Sequence, residues 1–328
     1  MIPLDARLLV ALRATAVHLP ASDLALAVRA DPNAIESRME GLRHAGFDIE
    51  FRPGFGYRLL SSPDRLIADD LWARLEVAGA PSLIREIAVF EETGSTNDIA
   101  AQRGRHGAPG GLVIFAERQI AGRGRFGRKW ESASHLGLWF SLLVRPEFPL
   151  AQWPRLTTWA AAATAAALET HTGRPAGVKW PNDIWLLEKK AAGILIETSA
   201  NADQTPFAIV GIGVNVNHEK DDFPEELQSS AISLRQAAGK ALVRAEVAVS
   251  ILVELDKRFA RLGADFDRIL SEARERSTVL GRWIKVRAGE SVIEGVAEEI
   301  GNDGSLLLRT ADGSRQTLTA GEVTLEKG

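Results

Sequence analysis

Cysteine is absent from the 328-residue chain. That excludes disulfides, thiolate metal sites and any thioester carried on the protein itself, and it fits a cytoplasmic location. A large charge of one sign is missing too, since 39 basic and 43 acidic residues leave a formal net charge of −4. Such a balance argues against a protein governed by nucleic-acid electrostatics, although a local basic surface can sit inside it. No apolar run approaches the ~18 residues that cross a membrane. The nearest, residues 156–168, is short and alanine-rich and reads as a buried helix. A secretory leader is disfavoured as well, because Asp5 precedes the first apolar stretch and Arg13 interrupts it.

What is present suits a globular protein of two or three domains, with 45% hydrophobic and 25% charged residues to build a sizeable core. Residues 1–62 read as a separate module. Leu8, Leu9, Leu12 and Val17 recur at helical spacing, and Ser22 or Asp23 is placed to cap a second helix ending near Ala30. Asp31-Pro32 opens a third, with proline where its missing N–H costs nothing. That helix carries Ile35, Met39 and Leu42 on one face and stops at Gly46. Residues 47–51 and 57–60 flank Pro53-Gly54-Phe55-Gly56, a strand–turn–strand signal. Three helices and a hairpin predict a winged helix-turn-helix, against the plainer alternative of a small helical interaction domain.

Residues 63–84 form the expected linker, with a short helix over 69–77. In 85–278, strand-like segments (112–119, 138–145, 177–186, 193–199, 207–217) alternate with helical ones (153–170, 244–262, 266–276). Several connections are too short for a helix, and residues 183–193 must turn back as a hairpin. An α+β domain on a mixed sheet is therefore expected. Residues 279–328 carry short strands (283–287, 292–300, 305–310, 315–318) between turns such as Asn302-Asp303-Gly304 and Asp312-Gly313, the pattern of a small β-barrel.

The most informative stretch is Gly122-Arg123-Gly124-Arg125-Phe126-Gly127-Arg128-Lys129-Trp130. Its glycines match a dinucleotide fingerprint, but no helix follows them, and that fingerprint needs one. The cations are more telling. Arg118, Arg123, Arg125, Arg128 and Lys129 repel one another and gain nothing from an apolar core. An anion would order them, since guanidinium forks grip phosphate or carboxylate and glycines let backbone N–H groups approach. Standing alone, the segment would equally be a solvated or nucleic-acid-binding loop. It is accompanied by Ser95-Thr96-Asn97, Lys179-Trp180-Pro181-Asn182-Asp183, Lys190-Ala191-Ala192-Gly193-Ile194-Leu195 and Gly211-Ile212-Gly213-Val214-Asn215. Each has an ordinary explanation: a helix start, a strand end, glycines marking a bulge.

Together, and in this order, these elements resemble the biotin–protein ligases, over roughly residues 88–220. The flanks match more loosely, in the arrangement of the bifunctional ligases that double as biotin-operon repressors, with an N-terminal winged helix-turn-helix and a C-terminal SH3-like barrel. The resemblance implies that ATP activates biotin as biotinyl-5'-AMP, which then passes to a lysine of a biotin carboxyl carrier protein. It implies a biotin site at Ser95, Thr96, Asn97, Gln119, Arg123, Gly124, Arg125, Lys190 and Gly193. An ATP site follows at Arg125, Arg128, Trp130, Asn182 and Asn215, with Mg2+ brought on the ATP phosphates. Lys190, Arg123 and Arg125 are implied as catalytic. Lys189 competes with Lys190 but lacks the family spacing to Gly193. One departure stands out: relatives have an arginine in the second strand of the barrel, where this chain has Glu298.

The same resemblance implies operator DNA as a partner, contacted by Asn33, Ser37, Arg38 and Arg43 of the third helix and Arg52 of the wing, and a homodimer when liganded. Against this, Asp31, Glu36, Glu40, Asp48 and Glu50 leave the module near neutral, and phosphate neutralisation supplies much of DNA affinity. Two other readings stay open here: a lipoate–protein ligase with related acyl-adenylate logic, and a biotin-responsive transcription factor whose chemistry is secondary.

Overall fold

In a computed structural model describing residues 2–79, 82–200 and 205–325, helical spacing builds the first of two units, Met1–Pro81 with Val243–Val249. Helices α1 (Leu4–Arg13), α2 (Ala21–Val28) and α3 (Pro32–His44) bury Leu8, Leu9, Leu12, Leu24, Val28, Ile35, Met39 and Leu42 in one cluster. Phe47 joins it, with Ile49 and Tyr57 from the antiparallel hairpin β1 (Asp48–Arg52) and β2 (Gly56–Ser61). Asp31 caps α3 as its residue type demands, accepting from the Asn33 amide at 2.9 Å. Neither Ser22 nor Asp23 caps α2; Pro20 holds that position. Val17 lies beyond α1 and is exposed, not part of its apolar face. The stretch expected as linker contains α4 (Ala68–Val77), whose Ala73 enters the same core and whose buried Asp70 binds Arg13 and Arg74.

The second unit, Ser82–Leu242 with Ser250–Gly328, is organised by a seven-stranded sheet. Its strands are β3 (Glu86–Thr93), β4 (Leu112–Gln119), β5 (Gly137–Val144), β6 (Gly177–Lys179), β7 (Asp183–Leu186), β8 (Lys189–Ser199) and β9 (Phe207–Asn215), in the spatial order β3-β4-β5-β9-β8-β7-β6. Only β3 and β4 run parallel, so the sheet is mixed as expected. Helix α5 (Thr96–Arg105) links that parallel pair and packs its Ala100 against Leu112, Ile114, Leu143, Phe207 and Ile209. Strand β5 is buried along its whole length. The alanine-rich run becomes α6 (Arg155–Thr172), buried for most of its length. Small side chains let a helix approach closely without voids. Helices α7 (Leu234–Ala238), α8 (Arg244–Phe259) and α9 (Phe266–Glu275) complete the layer; Trp159 of α6 donates its indole N–H to the Leu255 carbonyl of α8 at 3.0 Å.

Two expected strands need correction. Residues 177–186 are not one strand but β6 and β7, which fold back on each other around the Trp180–Asn182 turn. Pro181 has no N–H for a ladder, and a central strand cannot run through it. The strand expected from Gly193 begins at Lys189, because the tight turn of the hairpin is Leu187-Glu188, both with positive φ (47° and 61°). A two-residue turn of that kind usually advertises itself with asparagine or glycine. Here neither is present, so the signal was hidden.

From Trp283 the chain forms a separate antiparallel sheet of β10 (Trp283–Ala288), β11 (Ser291–Ile300), β12 (Leu306–Arg309), β13 (Arg315–Leu318) and β14 (Glu322–Leu325), ordered β13-β12-β11-β10-β14. Ile284, Val286, Ala297, Ile300, Leu306, Leu308, Leu318 and Val323 are its buried hydrophobic residues. Strand β14 was not anticipated. No helix among the described residues is long and apolar enough to cross a membrane.

Trp159 is fully buried as well as hydrogen-bonded. Trp159→Ala is expected to lower stability by about 3–5 kcal/mol through the cavity it leaves. A urea midpoint, followed by far-ultraviolet circular dichroism, that matched the unchanged chain would contradict this packing.

Candidate functional site

The sheet carries a cleft of about 460 Å³, and every residue of the expected biotin and ATP sites lines it. Ser95, Thr96, Asn97, Gln119, Arg123, Gly124, Arg125, Arg128, Trp130, Asn182, Lys190, Gly193 and Asn215 thus come together from a helix start, three strands and two loops.

One end is polar and desolvated. Ser95, Thr96 and Asn97 are buried at the start of α5, and Ser95 stands at the cap position without a side-chain capping bond. Gln119 accepts from the Thr96 amide (2.9 Å) and hydroxyl (3.1 Å) through Oε1 and donates from Nε2 to Ser132 Oγ (3.1 Å). The Ser141 hydroxyl lies 2.7 Å from Thr96 Oγ1 and 2.5 Å from Asn97 Oδ1, and one proton serves them. Asn97 donates to Glu197 Oε2 at 2.6 Å, which leaves its second amide hydrogen for other acceptors. Asn97 fits here only because position 211 is glycine: a Cβ there would lie 2.3 Å from its Oδ1. The glycines of β9 therefore make room for side chains; they do not mark a bulge, since the ladder to β8 and β5 is unbroken.

The arginine loop folds into a small lobe. Gly124 N–H donates to Arg128 O at 2.7 Å and Trp130 N–H to Gly122 O at 2.9 Å, while Phe126 and Gly127 adopt positive φ at the tip. No helix follows, which disposes of the dinucleotide fingerprint. Arg123 forks onto Asp98 (2.8 and 2.6 Å), with Glu197 3.5 Å away. The bond to Arg123 holds the Asp98 carboxyl below the usual range, and the guanidinium is correspondingly raised. Arg125 donates to Asn182 Oδ1 (3.4 Å) and Gly321 O (3.2 Å), and burial lowers its pKa without discharging it. Arg128 pairs with Glu322. The Trp130 ring lies over the strand floor, 2.6 Å from where a Gly213 Cβ would sit and 2.8 Å from that of Gly193.

Lys190 reaches this cleft through a bulge. Asp183 pairs with Gly193 and Ile184 with Ala192, but Trp185 pairs with Lys190, so Ala191 is extra. The inserted residue resets the strand's alternation and brings Lys190 to the face of Gly193, whose Cβ would lie 3.2 Å from Lys190 Cε. The ammonium sits 2.7 Å from Asp183 and 5.2 Å from the centre of the Trp130 ring. Lys189 does not compete: its Nζ is drawn to the Gln228 carbonyl at 3.4 Å. Asn182 and Asn215 are oriented by donating to backbone, the first to Ile194 O (2.7 Å), the second to Ile232 O (3.3 Å). Lys179 also faces the cleft, its pKa lowered by burial, with its Nζ 4.6 Å from the Trp185 ring centre.

Sequence reasoning gave no role to Asp98, Ser132, Ser141, Glu197, Gly321 or Glu322, because carboxylates and hydroxyls carry no local signature until a partner is placed beside them. Glu298 stays with Arg309 (2.5 Å) and Arg315 (3.0 Å); the C-terminal sheet meets the lobe through Gly321 and Glu322 instead. Of the expected DNA contacts, Asn33 and Ser37 are exposed on α3. Arg38 pairs with Asp5 (3.6 Å), Arg52 with Glu50 (3.2 Å), and Arg43 donates to Ile49 O at 2.9 and 2.7 Å.

His218 lines the cleft, buried and stacked on Phe223 at 4.9 Å, with Nδ1 unpartnered. Burial pushes its pKa from 6.5 to about 4. Between these values the unfolded chain binds a proton that the folded chain refuses, so stability falls as pH drops through that window. His218→Gln is expected to flatten the loss, worth up to about 2 kcal/mol, between about pH 7.5 and about pH 5. Urea unfolding at the two pH values checks this; an unchanged slope would assign the acid sensitivity elsewhere.

Residues 89–217 match the Biotin/lipoate A/B protein ligase family and residues 279–325 the Biotin protein ligase C terminal domain. The bifunctional ligase/repressor BirA of Bacillus spizizenii is 35% identical over 290 residues, 88% of each chain. The biotin--[acetyl-CoA-carboxylase] ligase of Mycobacterium tuberculosis is 32% identical over 78% of this chain and 94% of its own. The biotin protein ligase of Aquifex aeolicus, solved with biotin and ATP, superposes with a TM-score of 0.63 at 31% identity, covering 75% of this chain and all of that one. With the motifs gathered in one cleft and likeness extending through both flanks, this chain belongs to the biotin–protein ligase family.

Proposed function

We propose that the chain activates biotin with ATP and transfers it to a lysine of a biotin carboxyl carrier protein. The observation that carries this reading is the polarity of the cleft: buried amides and hydroxyls at the Ser95–Asn97 end, and Lys190 with Arg125 beyond them. Buried hydroxyls and amides match the donors and acceptors of a desolvated ureido ring. A fixed ammonium and guanidinium reduce the repulsion between biotin's carboxylate and the α-phosphate and stabilise the charge that develops in the transition state.

In the first step a carboxylate oxygen attacks the α-phosphorus in line, and the bond to the bridging oxygen breaks to release pyrophosphate. In the second, the acceptor's neutral lysine amine attacks the acyl carbon, AMP leaves, and the amine's extra proton is lost. Asn182, Asn215, Arg128 and Trp130 are read as nucleotide contacts, and Gly124 and Gly193 as close-approach positions. Magnesium enters with ATP as substrate; among the described residues no three His, Asp or Glu side chains group to hold a metal.

Residues 1–62 are read as a regulatory winged helix-turn-helix, 63–84 as a connector, 85–278 as the catalytic segment and 279–328 as an SH3-like barrel. Support comes from the three helices and hairpin, from the antiparallel C-terminal sheet, and from the ligase/repressor relatives. Operator binding by Asn33, Ser37, Arg38, Arg43 and Arg52 belongs to the same reading, as does pairing of two liganded copies along a sheet edge, β3 or β6. The internal pairing of Arg38, Arg43 and Arg52 implies that any DNA affinity leans on two modules acting together. A cytoplasmic location fits the acceptor.

Purified chain given biotin and MgATP is expected to release pyrophosphate and to label a carrier domain, with lipoate a poor substitute; a folded sample inert with biotin would sink the assignment. Lys190→Ala should cut pyrophosphate release by roughly 10²–10³-fold while leaving the circular dichroism spectrum intact. Near-normal turnover would remove Lys190 from the reaction. Fluorescence anisotropy against the organism's own biotin-gene promoter should show tighter binding with biotin and ATP present; equal, weak binding to random DNA in both conditions would leave the module without an operator.

A further inference from the structure

The carboxylates that hold Arg123 have no part in the reaction just described. Asp98 lies in the first turn of α5, immediately after Asn97, and Glu197 lies on β8. Asp98 takes both ends of the guanidinium fork, and Glu197 Oε1 stands 3.5 Å behind. Two carboxylates already engage the guanidinium, which leaves it little to offer a third anion. Arg125 is different. Its direct contacts are neutral acceptors, Asn182 Oδ1 and the Gly321 carbonyl, so its charge remains available to a phosphate or carboxylate.

Arg123 is also placed where a fastening acts on the whole lobe. It bridges to Lys129 across the base, next to the Gly124–Arg128 bond, so fixing Arg123 fixes both limbs. The other oxygen of Glu197 accepts from Asn97 Nδ2, and Asn97 Oδ1 accepts from Ser141. The fastening and the polar end of the cleft therefore share one hydrogen-bonded chain.

Resting on the ligase reading above, we propose that Arg123 is the latch of the arginine loop and not a ligand of the reacting anions, and that Asp98, with Glu197, is a positioning residue. The latch holds the lobe against the Ser95–Asn97 end of the cleft and slows escape of the acyl-adenylate before the acceptor arrives.

The experiment uses the full chain and three readouts: KM for biotin, kcat for pyrophosphate release, and the rate at which biotinyl-adenylate leaves the protein when no acceptor is present. Asp98→Asn keeps the shape and removes the charge. It should raise the biotin KM and the escape rate roughly two- to fivefold, the upper range of an exposed ion pair, while kcat stays unchanged. Arg123→Asp should raise the biotin KM and the escape rate more steeply. Adding Asp98→Arg to it rebuilds the pair with reversed polarity and should return KM and escape to within about threefold of the starting values.

A folded charge-swapped chain as defective as Arg123→Asp alone would overturn the proposal, because an arginine that grips an anion cannot be exchanged for aspartate. So would an Asp98→Asn chain matching the wild type in KM and escape. Should the swapped chain fail to fold, as judged by circular dichroism, the Asp98→Asn values alone decide. A wild-type chain that releases no pyrophosphate with biotin fails the ligase reading itself, whereas a working wild type with a silent Asp98→Asn fails only the latch.

Discussion

Like charges have to be brought together in this cleft, and the arrangement around it follows from that constraint. A carboxylate and a polyphosphate will not approach without cations between them, and the cations will not stay together without partners of their own. Three of them are matched by carboxylates: Lys190 by Asp183, Arg123 by Asp98, Arg128 by Glu322. Exposed ion pairs of this kind are weak, which suits Lys190 and Arg128 if they are to exchange a protein carboxylate for a substrate oxygen, whereas Arg123 keeps its partner. A deeply buried pair would resist that exchange.

The scaffold contributes by shaping the floor. Gly211 admits Asn97 and Gly213 admits Trp130, and both come from β9, a central strand whose other residues are nearly all buried. The bulge at Ala191 turns one lysine of a Lys-Lys pair inward and leaves the other on Gln228. Such positions are set by backbone geometry fixed to a rigid sheet, so a small error in register would misplace the ammonium relative to every other group.

Much of this was legible in the sequence. The arginine-glycine loop, Ser95-Thr96-Asn97, Asn182 and Lys190 each announced residues that line the cleft, and the alternation of strands with short connections announced a mixed sheet. Three things were hidden, each for a physical reason. Strand β3 is an edge strand with only Ile87 buried, so its hydrophobic alternation is faint. The Leu187-Glu188 turn uses residues that rarely take positive φ, so it lacks turn chemistry. Glu298 drew attention to the second strand of the C-terminal sheet, when the contact to the loop comes from its last strand. Pairing across 196 positions, as between Arg125 and Gly321, leaves no local trace.

That last contact bears on how the protein matures. Strand β14 is made after every strand of the seven-stranded sheet, and among the described residues it pairs with β10 alone. A nascent chain can assemble the seven-stranded sheet, with the Ser95–Asn97 recess and Lys190 already placed, while Gly321 and Glu322 are still unmade. The order of synthesis therefore makes docking of the lobe at Arg125 and Arg128 the last act of building the cleft, after the floor beneath it has set.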